Sequence, residues 1–251
     1  TMMLSEMTPR NVHNWQQFAL VRLQLRFTAE TQKMYSEFGD WLHGVILATG
    51  DADGYADEIA LFTALSAINN RWHKLQADWL RMFKNARIEA ASIPFGALVV
   101  QHNAKMKPFD KPVETSESLT TRDVDTLLRL WRERRSRALE VAAQRVYGDG
   151  LVLSQRIWQL ENGGFDRIRG VINSAFVERT SAVKLARDAE SLLGAGRNCP
   201  RWPYSRLYGM NATERLEDSA GLLKGDACNS SGLSYNALRM ARNKIQHTHH
   251  T

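Results

Sequence analysis

The segment LSAINNRWHKLQADWLRMFKNA, residues 65–86, carries the clearest structural signal in this chain. Its apolar residues follow one another in alternating steps of three and four, which average 3.5 residues and match the period of coiled coils. They are Leu65, Ile68, Trp72, Leu75, Trp79, Met82 and Ala86. The pattern therefore predicts a long helix that buries one continuous apolar stripe.

A second helical pattern precedes this segment. Thr8 followed by Pro9 is typical of a helix start, with an N-cap residue and then proline at the first helical position. Apolar residues then recur in steps of mostly three or four from Val12 to Val45. Residues 50–54, GDADG, suit a turn between the two helices. We expect residues 1–104 to form a long antiparallel helical hairpin, whose second arm is kinked or ended by Pro94 and Gly96.

The remainder of the chain predicts shorter helices and one long loop. Residues 105–121 are rich in polar residues and contain two prolines, which is typical of a linker. A helix should begin near residue 122 and stop at residues 147–150, YGDG. Further helices are expected at 151–160, 165–178, 181–193 and 234–250, and the glycine- and proline-containing segment 198–231 should be loop. Residues 122–251 are thus a smaller helical domain, the predicted fold class is all-α, and we expect the natural chain to continue beyond residue 251.

Charge is distributed unevenly along the sequence. Lys and Arg number 33 against 27 acidic residues, which gives a formal charge of +6 and a pI near 9.5. Residues 129–137 contain five arginines and one acid, a local charge of +4, and residues 233–251 contain three Lys or Arg and no acid. A solvated helix face and a surface that contacts phosphates both explain such clusters. The candidate DNA or partner contacts are Arg129, Arg132, Arg135, Arg201, Trp202, Arg239, Arg242 and Lys244.

Several short motifs resemble reactive or metal sites but lack essential parts. In the Asp51–Gly54 segment the glycine comes two positions too early for a calcium loop, so a turn is favoured. Ser181 and Lys184 have the Ser-x-x-Lys spacing of some acyl enzymes without the companion motifs, so Ser181 is interpreted as a helix cap. No phosphate-binding loop and no dinucleotide fingerprint occur in the sequence.

The sequence accordingly predicts no enzyme activity, no cofactor and no metal. His247 and His250 could share a helix face, but no Cys or Asp partner is near in sequence. Cys199 and Cys228 are interpreted as two isolated thiols of a reducing compartment, and a local bridge between them stays open. No apolar run is long enough to predict a transmembrane helix.

The second half of the sequence resembles a family of phage proteins. Residues 153–160, LSQRIWQL, are similar to the "LS-x-R-I/V-W-x-L" segment of the Mu F-like head-morphogenesis family of minor head proteins. Residues 232–242, GLSYNALRMAR, are similar to that family's "G-x-x-Y-N-A-x-R-L-A-R-T-E" helix, with Asn243 and Lys244 in place of the final Thr-Glu. The segments around Pro200–Trp202 and Arg206–Tyr208 are also in the style of the family.

The resemblance covers roughly residues 150–250 and implies a structural virion protein. Such proteins enter the tailed-phage head in few copies, associate with the portal or the procapsid, and are linked to the fate of packaged DNA. It therefore implies other head proteins and double-stranded DNA as partners, and a location in the virion after assembly in the host cytoplasm. Two alternatives remain open: a stand-alone basic helical nucleic-acid-binding module, and the non-catalytic part of a larger enzyme or toxin.

Overall fold

All regular secondary structure in the described part of the chain is helical. The computed structural model describes residues 9–105, 121–146, 150–194 and 232–250. Its helices are α1 (Pro9–Ala48), α2 (Glu58–Lys105), α3 (Thr121–Gln144), α4 (Leu153–Val177), α5 (Ala182–Leu193) and α6 (Leu233–His250). The expected all-α fold is confirmed. Within the described ranges, no helix is both long enough and apolar enough to span a membrane.

The chain divides into two compact units, each assembled from segments that are distant in sequence. The first unit comprises Thr1–Gln24, Asn85–Arg145 and Asn243–Thr251. The second unit comprises Leu25–Lys84 and Val146–Arg242. The expected domain limits at residues 105 and 121 stay a prediction, and the expected linker and the loop at 198–231 lie almost wholly outside the described residues.

The core of the second unit is an aromatic seam between α1 and α2. Phe27 meets Trp79 edge-on with 6.0 Å between ring centroids, and Tyr35 meets Trp72 at 6.1 Å. Contacts that advance along α1 therefore retreat along α2, so the two helices are antiparallel within this unit. The amide of Gln76 donates to the Tyr35 hydroxyl at 3.1 Å and satisfies a polar group inside the seam. The arrangement of the complete long hairpin stays a prediction.

The turn between α1 and α2 is built by aspartate side chains. Asp51 Oδ1 accepts hydrogen bonds from the backbone N–H groups of Asp53 (3.0 Å) and Tyr55 (2.8 Å). Asp57 Oδ1 accepts from the N–H of Ala60 at 2.7 Å and so caps the N-terminus of α2. The expected turn is confirmed, and its aspartates are used in local backbone hydrogen bonds.

Pro94 and Gly96 were expected to kink or end the second arm, α2, and they do not end it. The helix includes Pro94 and runs to Lys105. Proline removes one intrahelical hydrogen bond, and this loss can be tolerated when tertiary packing holds the surrounding turns. Ala90 and Ile93, in the turn before Pro94, are both buried and supply such packing.

The expectation of separate helices at 151–160 and 165–178 is wrong. A single helix, α4, continues through Gly163 and Gly164. Gly164 is buried against the ring of Trp72, and a Cβ atom there would lie 3.0 Å from Trp72 Cη2 and still closer to Cζ2. The indole N–H of Trp72 donates to the Glu161 carbonyl at 2.7 Å. Gly164 therefore permits a close approach between α2 and α4 and does not break the helix.

Two expected ends of α5 are confirmed. The Ser181 hydroxyl accepts from the backbone N–H of Lys184 at 3.3 Å, as an N-cap does. Gly194 ends the helix in the left-handed conformation with φ of 63°. Gly232 lies directly against this end, because a Cβ atom on it would come within 2.6 Å of the Gly194 Cα atom. This contact brings the start of α6 to the end of α5.

Candidate nucleic-acid interface

Helix α3 carries most of the candidate contact residues and has one buried side. Ala138 and Ala142 are buried, and Trp131 is half-buried on the same side. Arg129, Arg132, Arg134 and Arg137 are all exposed. At 3.6 residues per turn, Arg129, Arg132 and Arg137 lie within an arc of roughly 140° and within about 12 Å along the axis. Arg134 widens this arc to roughly 200°. We call the set of these four arginines the α3 arginine face.

Arg135, the fifth arginine of this segment, has a different environment. It is half-buried, and its guanidinium carbon lies 4.5 Å from the centroid of the Trp131 ring. This cation–π contact fixes the side chain on the helix surface. Arg135 thus lies beside the α3 arginine face. It adds to the positive potential there while its guanidinium group stacks on Trp131.

The guanidinium groups of the α3 arginine face form no ion pair within the described part of the chain, although the exposed Glu133 lies one turn from Arg129 and from Arg137 and lowers the net charge of this face to +3. Among those residues, no hydrogen bond or ion pair is found for the guanidinium groups of these four arginines. Elsewhere exposed arginines do pair, since Arg81 contacts Asp78 at 2.7 Å and Arg169 contacts Asp166 at 2.9 Å. Guanidinium groups without a carboxylate partner remain available for phosphate oxygens, which they bind in a bidentate manner.

Cations from two other helices hold the C-terminal end of α3. The Arg87 guanidinium donates to the Leu139 carbonyl at 2.8 Å, and the Lys244 ammonium donates to the Ala142 carbonyl at 3.0 Å. The last turn of α3 has no basic residue of its own. Because the helix dipole favours positive charge at this end, these contacts from α2 and α6 stabilise α3. The arginine face is therefore carried by a helix that is anchored at its end.

The buried position of Lys244 changes its acid–base properties. Burial, together with the nearby charges of Arg87 and Arg145, lowers the pKa of the Lys244 ammonium to about 8. Burial also lowers the pKa of Arg87. The Arg145 guanidinium in turn contacts the imidazole of His247, with 2.9 Å between Nη1 and Nδ1. Four basic side chains thus meet at the C-terminal end of α3.

The placement of Lys244 corrects its interpretation as a contact residue. Its side chain is only 1% exposed, and its ammonium is bonded to a main-chain carbonyl of α3. A phosphate of DNA cannot reach an interior ammonium without displacing α6. Lys244 is therefore a structural residue of the first unit and is removed from the set of candidate contacts.

The other candidate residues are distributed between the two units. Arg129, Arg132 and Arg135 lie together on α3 in the first unit, whereas Arg239 is exposed on α6 in the second unit. Arg242 belongs to α6, but its side chain lies outside what the structure describes. Arg201 and Trp202 fall outside the described residues. The structure thus brings together the three α3 candidates and adds Arg134 and Arg137 to them.

Two histidine–carboxylate pairs occur in the second unit and link helices. His43 Nδ1 lies 3.1 Å from Glu190 Oε1 in a largely buried contact between α1 and α5. His73 Nδ1 lies 3.4 Å from Glu161 Oε1 in an exposed contact between α2 and α4. Among the described residues, no group of three or more His, Cys, Asp or Glu is placed to hold a metal ion. Neither pair is indicated by the local sequence pattern, since their members are 147 and 88 positions apart (190 − 43 and 161 − 73).

No protein-family model, curated protein or solved structure matches this chain. Its function is therefore inferred from its own residues and from the resemblance in residues 150–250.

Proposed function

We propose that this chain is a non-catalytic minor head protein of a tailed phage. In this role it associates with the portal and other head proteins through its helices and contacts packaged double-stranded DNA through the α3 arginine face. The proposal places the protein in the virion head and in the host cytoplasm during assembly. It combines two independent lines of support, which are the family-like segments of the sequence and the electrostatics of α3.

The observation that carries the DNA-binding part is the net positive charge of the α3 arginine face, whose guanidinium groups form no ion pair among the described residues. A duplex carries about one negative charge per 1.7 Å of axis, so a face about 12 Å long passes roughly seven phosphates. Arginines on a regular helix contact such phosphates without reading bases, since phosphate contacts carry no direct sequence information. Packaged genomic DNA requires binding of this sequence-independent kind.

Some residues of the two family-like segments, 153–160 and 232–242, are buried. Leu153, at the start of the first segment, is buried, and so are Leu233, Ala237 and Ala241 of the second segment. Gly232, the first residue of the second segment, makes the close approach to Gly194. These residues are the ones that a shared helical architecture would retain for packing. The segments therefore support a likeness in fold, and the likeness in function remains our proposal.

The proposal is tested on particles of the phage that encodes this chain. Mass spectrometry of purified procapsids and mature heads should detect the chain in a few copies per particle, and cryo-electron microscopy should locate it near the portal vertex. Absence of the chain from both kinds of particle would refute the proposal. Because the measurement needs no variant, its outcome does not depend on any assigned residue.

A stand-alone nucleic-acid-binding module is the second candidate, favoured by the same α3 arginine face. The two candidates differ in their protein partners. A head protein should co-sediment with the purified portal protein in the absence of DNA, whereas a stand-alone module should bind duplex DNA and show no affinity for the portal.

A further inference from the structure

An open groove runs between α1 and α2 in the second unit. Its volume is about 660 Å³, and its walls include Met34 and Trp41 of α1 and Ala67, Arg71 and Lys74 of α2. Trp41 and Met34 are half-buried, whereas Ala67, Arg71 and Lys74 are exposed. We call this feature the α1–α2 groove. None of its walls is formed by the α3 arginine face, which belongs to the first unit.

The spacing of its lining residues suits the groove to packing against a third helix. The α2 wall follows steps of four, three and four from Ala67 to Asp78, and the α1 wall follows steps of four and three from Met34 to Trp41. Such rows run along the axes of two antiparallel helices. Residues 67–78 extend for about 16 Å, which is three helical turns. A third helix lying lengthwise fits between two such rows, as ridges fit grooves in helix packing.

The floor of the groove is apolar. Phe38 and Leu75 line it and are only 2% and 7% exposed, respectively. Trp41 forms part of the wall, and the Arg71 guanidinium carbon lies 4.6 Å from its ring centroid. Phe38 and Leu75 are thus already covered, and the apolar surface that an occupant would remove from water belongs to the half-buried Met34 and Trp41. The occupant must therefore present an apolar stripe to Met34 and Trp41.

The charges at the rim favour an acidic occupant. The two acids of the groove already have partners, since Glu37 pairs with Lys33 at 3.9 Å and Asp78 pairs with Arg81 at 2.7 Å. For Arg71 and Lys74, no carboxylate partner is found among the described residues. The stacking of Arg71 on Trp41 restrains its planar group while its N–H groups remain able to donate to a carboxylate. The unmatched charge of the rim is thus positive.

We propose that the α1–α2 groove binds an amphipathic helix of a partner protein that carries carboxylates beside its apolar stripe. Its apolar side chains would cover Met34 and Trp41, and its carboxylates would contact Arg71 and Lys74. A second copy of this chain, with a formal charge of +6, is a poorer match to that rim. The inference rests on the protein-docking part of the proposed function and specifies the partner's chemistry.

The experiment uses the full chain and labelled 18-residue helical peptides in fluorescence anisotropy. One peptide has Leu at i, i+3, i+4 and i+7 with Glu at the flanking positions, and two control peptides have Lys at those flanks or the same residues in scrambled order. The acidic amphipathic peptide should bind with a Kd of about 50 µM or tighter and at least tenfold more tightly than either control. Equal binding of the three peptides, or no binding of the acidic one, overturns the proposal.

Two variants locate the binding site. Ala67→Trp fills an exposed position of the groove wall. The double variant Arg71→Glu with Lys74→Glu reverses the positive charges of the rim. Each variant should weaken binding of the acidic peptide at least tenfold. The matched control Lys84→Glu changes an exposed lysine of α2 outside the groove and should leave the Kd within about twofold. Circular dichroism verifies that each variant is folded.

Unchanged peptide affinity in the folded Ala67→Trp variant would contradict the proposal, and so would formation of a dimer that this substitution abolishes. DNA affinity of the same variant should equal that of the wild-type chain. A failure of the groove proposal is thereby separated from a failure of the α3 arginine face or of the head-protein assignment.

Discussion

Gly163 and Gly164 are adjacent in α4, yet only one of them needs to be glycine. A Cβ atom on Gly163 would have no other atom within 4 Å, whereas one on Gly164 would collide with the Trp72 ring. The sequence predicted two separate helices, 151–160 and 165–178, on either side of this pair. It could not reveal the role of Gly164, since Trp72 is 92 positions away (164 − 72).

The two glycines should respond oppositely to alanine. Gly164→Ala should destabilise the chain by about 1–3 kcal/mol, because Trp72 must move to accept the added carbon. Gly163→Ala should stabilise it by about 0.5–1 kcal/mol, because alanine loses less backbone entropy in a helix. Urea unfolding of both variants measures these changes. Equal effects of the two substitutions would show that the contact between α4 and Trp72 is not as described.

Lys244 should make stability depend on pH in the alkaline range. Its pKa is about 8 in the folded chain against about 10.4 in an unfolded chain. Between these values the unfolded state holds a proton that the folded state has released, so stability should rise with pH from about 8 upward. We expect a gain of about 1–2 kcal/mol between about pH 7.5 and pH 9.5. Above about pH 10, Tyr35 opposes this gain. Burial raises the pKa of Tyr35, so the unfolded chain releases the tyrosine proton at a lower pH than the folded chain does, and stability falls.

Lys244→Met removes the titrating group while keeping an unbranched side chain of similar length. Urea unfolding of this variant should show a flat profile over the same pH window, because the titrating group is absent. Lys74→Met, at an exposed lysine, should retain the rise. A rise of unchanged size in Lys244→Met would exclude Lys244 as its source.

The sequence contains a pattern that indicates burial of Lys244, but the charge composition of its segment pointed to an exposed surface. It falls on one helical stripe with Ala237, Ala241 and Thr248, in steps of four, three and four, and all four residues are buried. The absence of acids in residues 233–251 had favoured a solvated cationic surface instead. The hydrogen-bond acceptor of Lys244 is the Ala142 carbonyl, which is 102 positions away and therefore cannot be predicted from the residues around Lys244.

At the scale of elements, apolar periodicity predicted most of the helices. The stripe through Ile68, Trp72 and Trp79 is buried as expected, and α3, α5 and α6 lie where the sequence places helices. The differences from expectation fall at Pro94 and at Gly163–Gly164, where residues that disfavour helices are retained inside α2 and α4. Tertiary packing, which local propensity does not contain, decides the outcome at such positions.

The cap of α5 should contribute measurably to stability. Ser181→Ala removes the hydroxyl that accepts from Lys184, and we expect a loss of about 0.5–2 kcal/mol. Ser174→Ala, at an exposed position inside α4, is the control and should change stability by less than about 0.5 kcal/mol. Urea unfolding distinguishes these outcomes. Equal values for the two variants would contradict the capping role.

At the scale of the whole molecule, the division into two units was not predictable from periodicity. Each unit joins segments from distant parts of the chain, and the contacts that build them link residues such as Arg87 and Leu139, 52 positions apart. A helical stripe indicates which side of a helix is buried but not which helix covers it. The arginine cluster of residues 129–137 was visible in the sequence because charge composition is a local property.

The wild-type chain should bind a 30-base-pair duplex of arbitrary sequence with steep salt dependence. If three or four arginines of α3 contact phosphates, the slope of log K against log salt should be about −3 to −4. Arg129→Glu with Arg132→Glu should weaken binding at least tenfold at about 100 mM salt and make the slope shallower by about 2. The control pair Arg167→Glu with Arg187→Glu alters the net charge equally, at exposed positions of α4 and α5.

Fluorescence anisotropy of that duplex with these three proteins, between about 50 and 300 mM salt, is the most direct test of the proposal that α3 contacts DNA. We predict that the control pair binds within about threefold of the wild-type chain while the α3 pair loses both affinity and salt slope. Equal losses in the two pairs, or no binding by the wild-type chain at about 100 mM salt, would contradict a DNA-contacting role for the α3 arginine face.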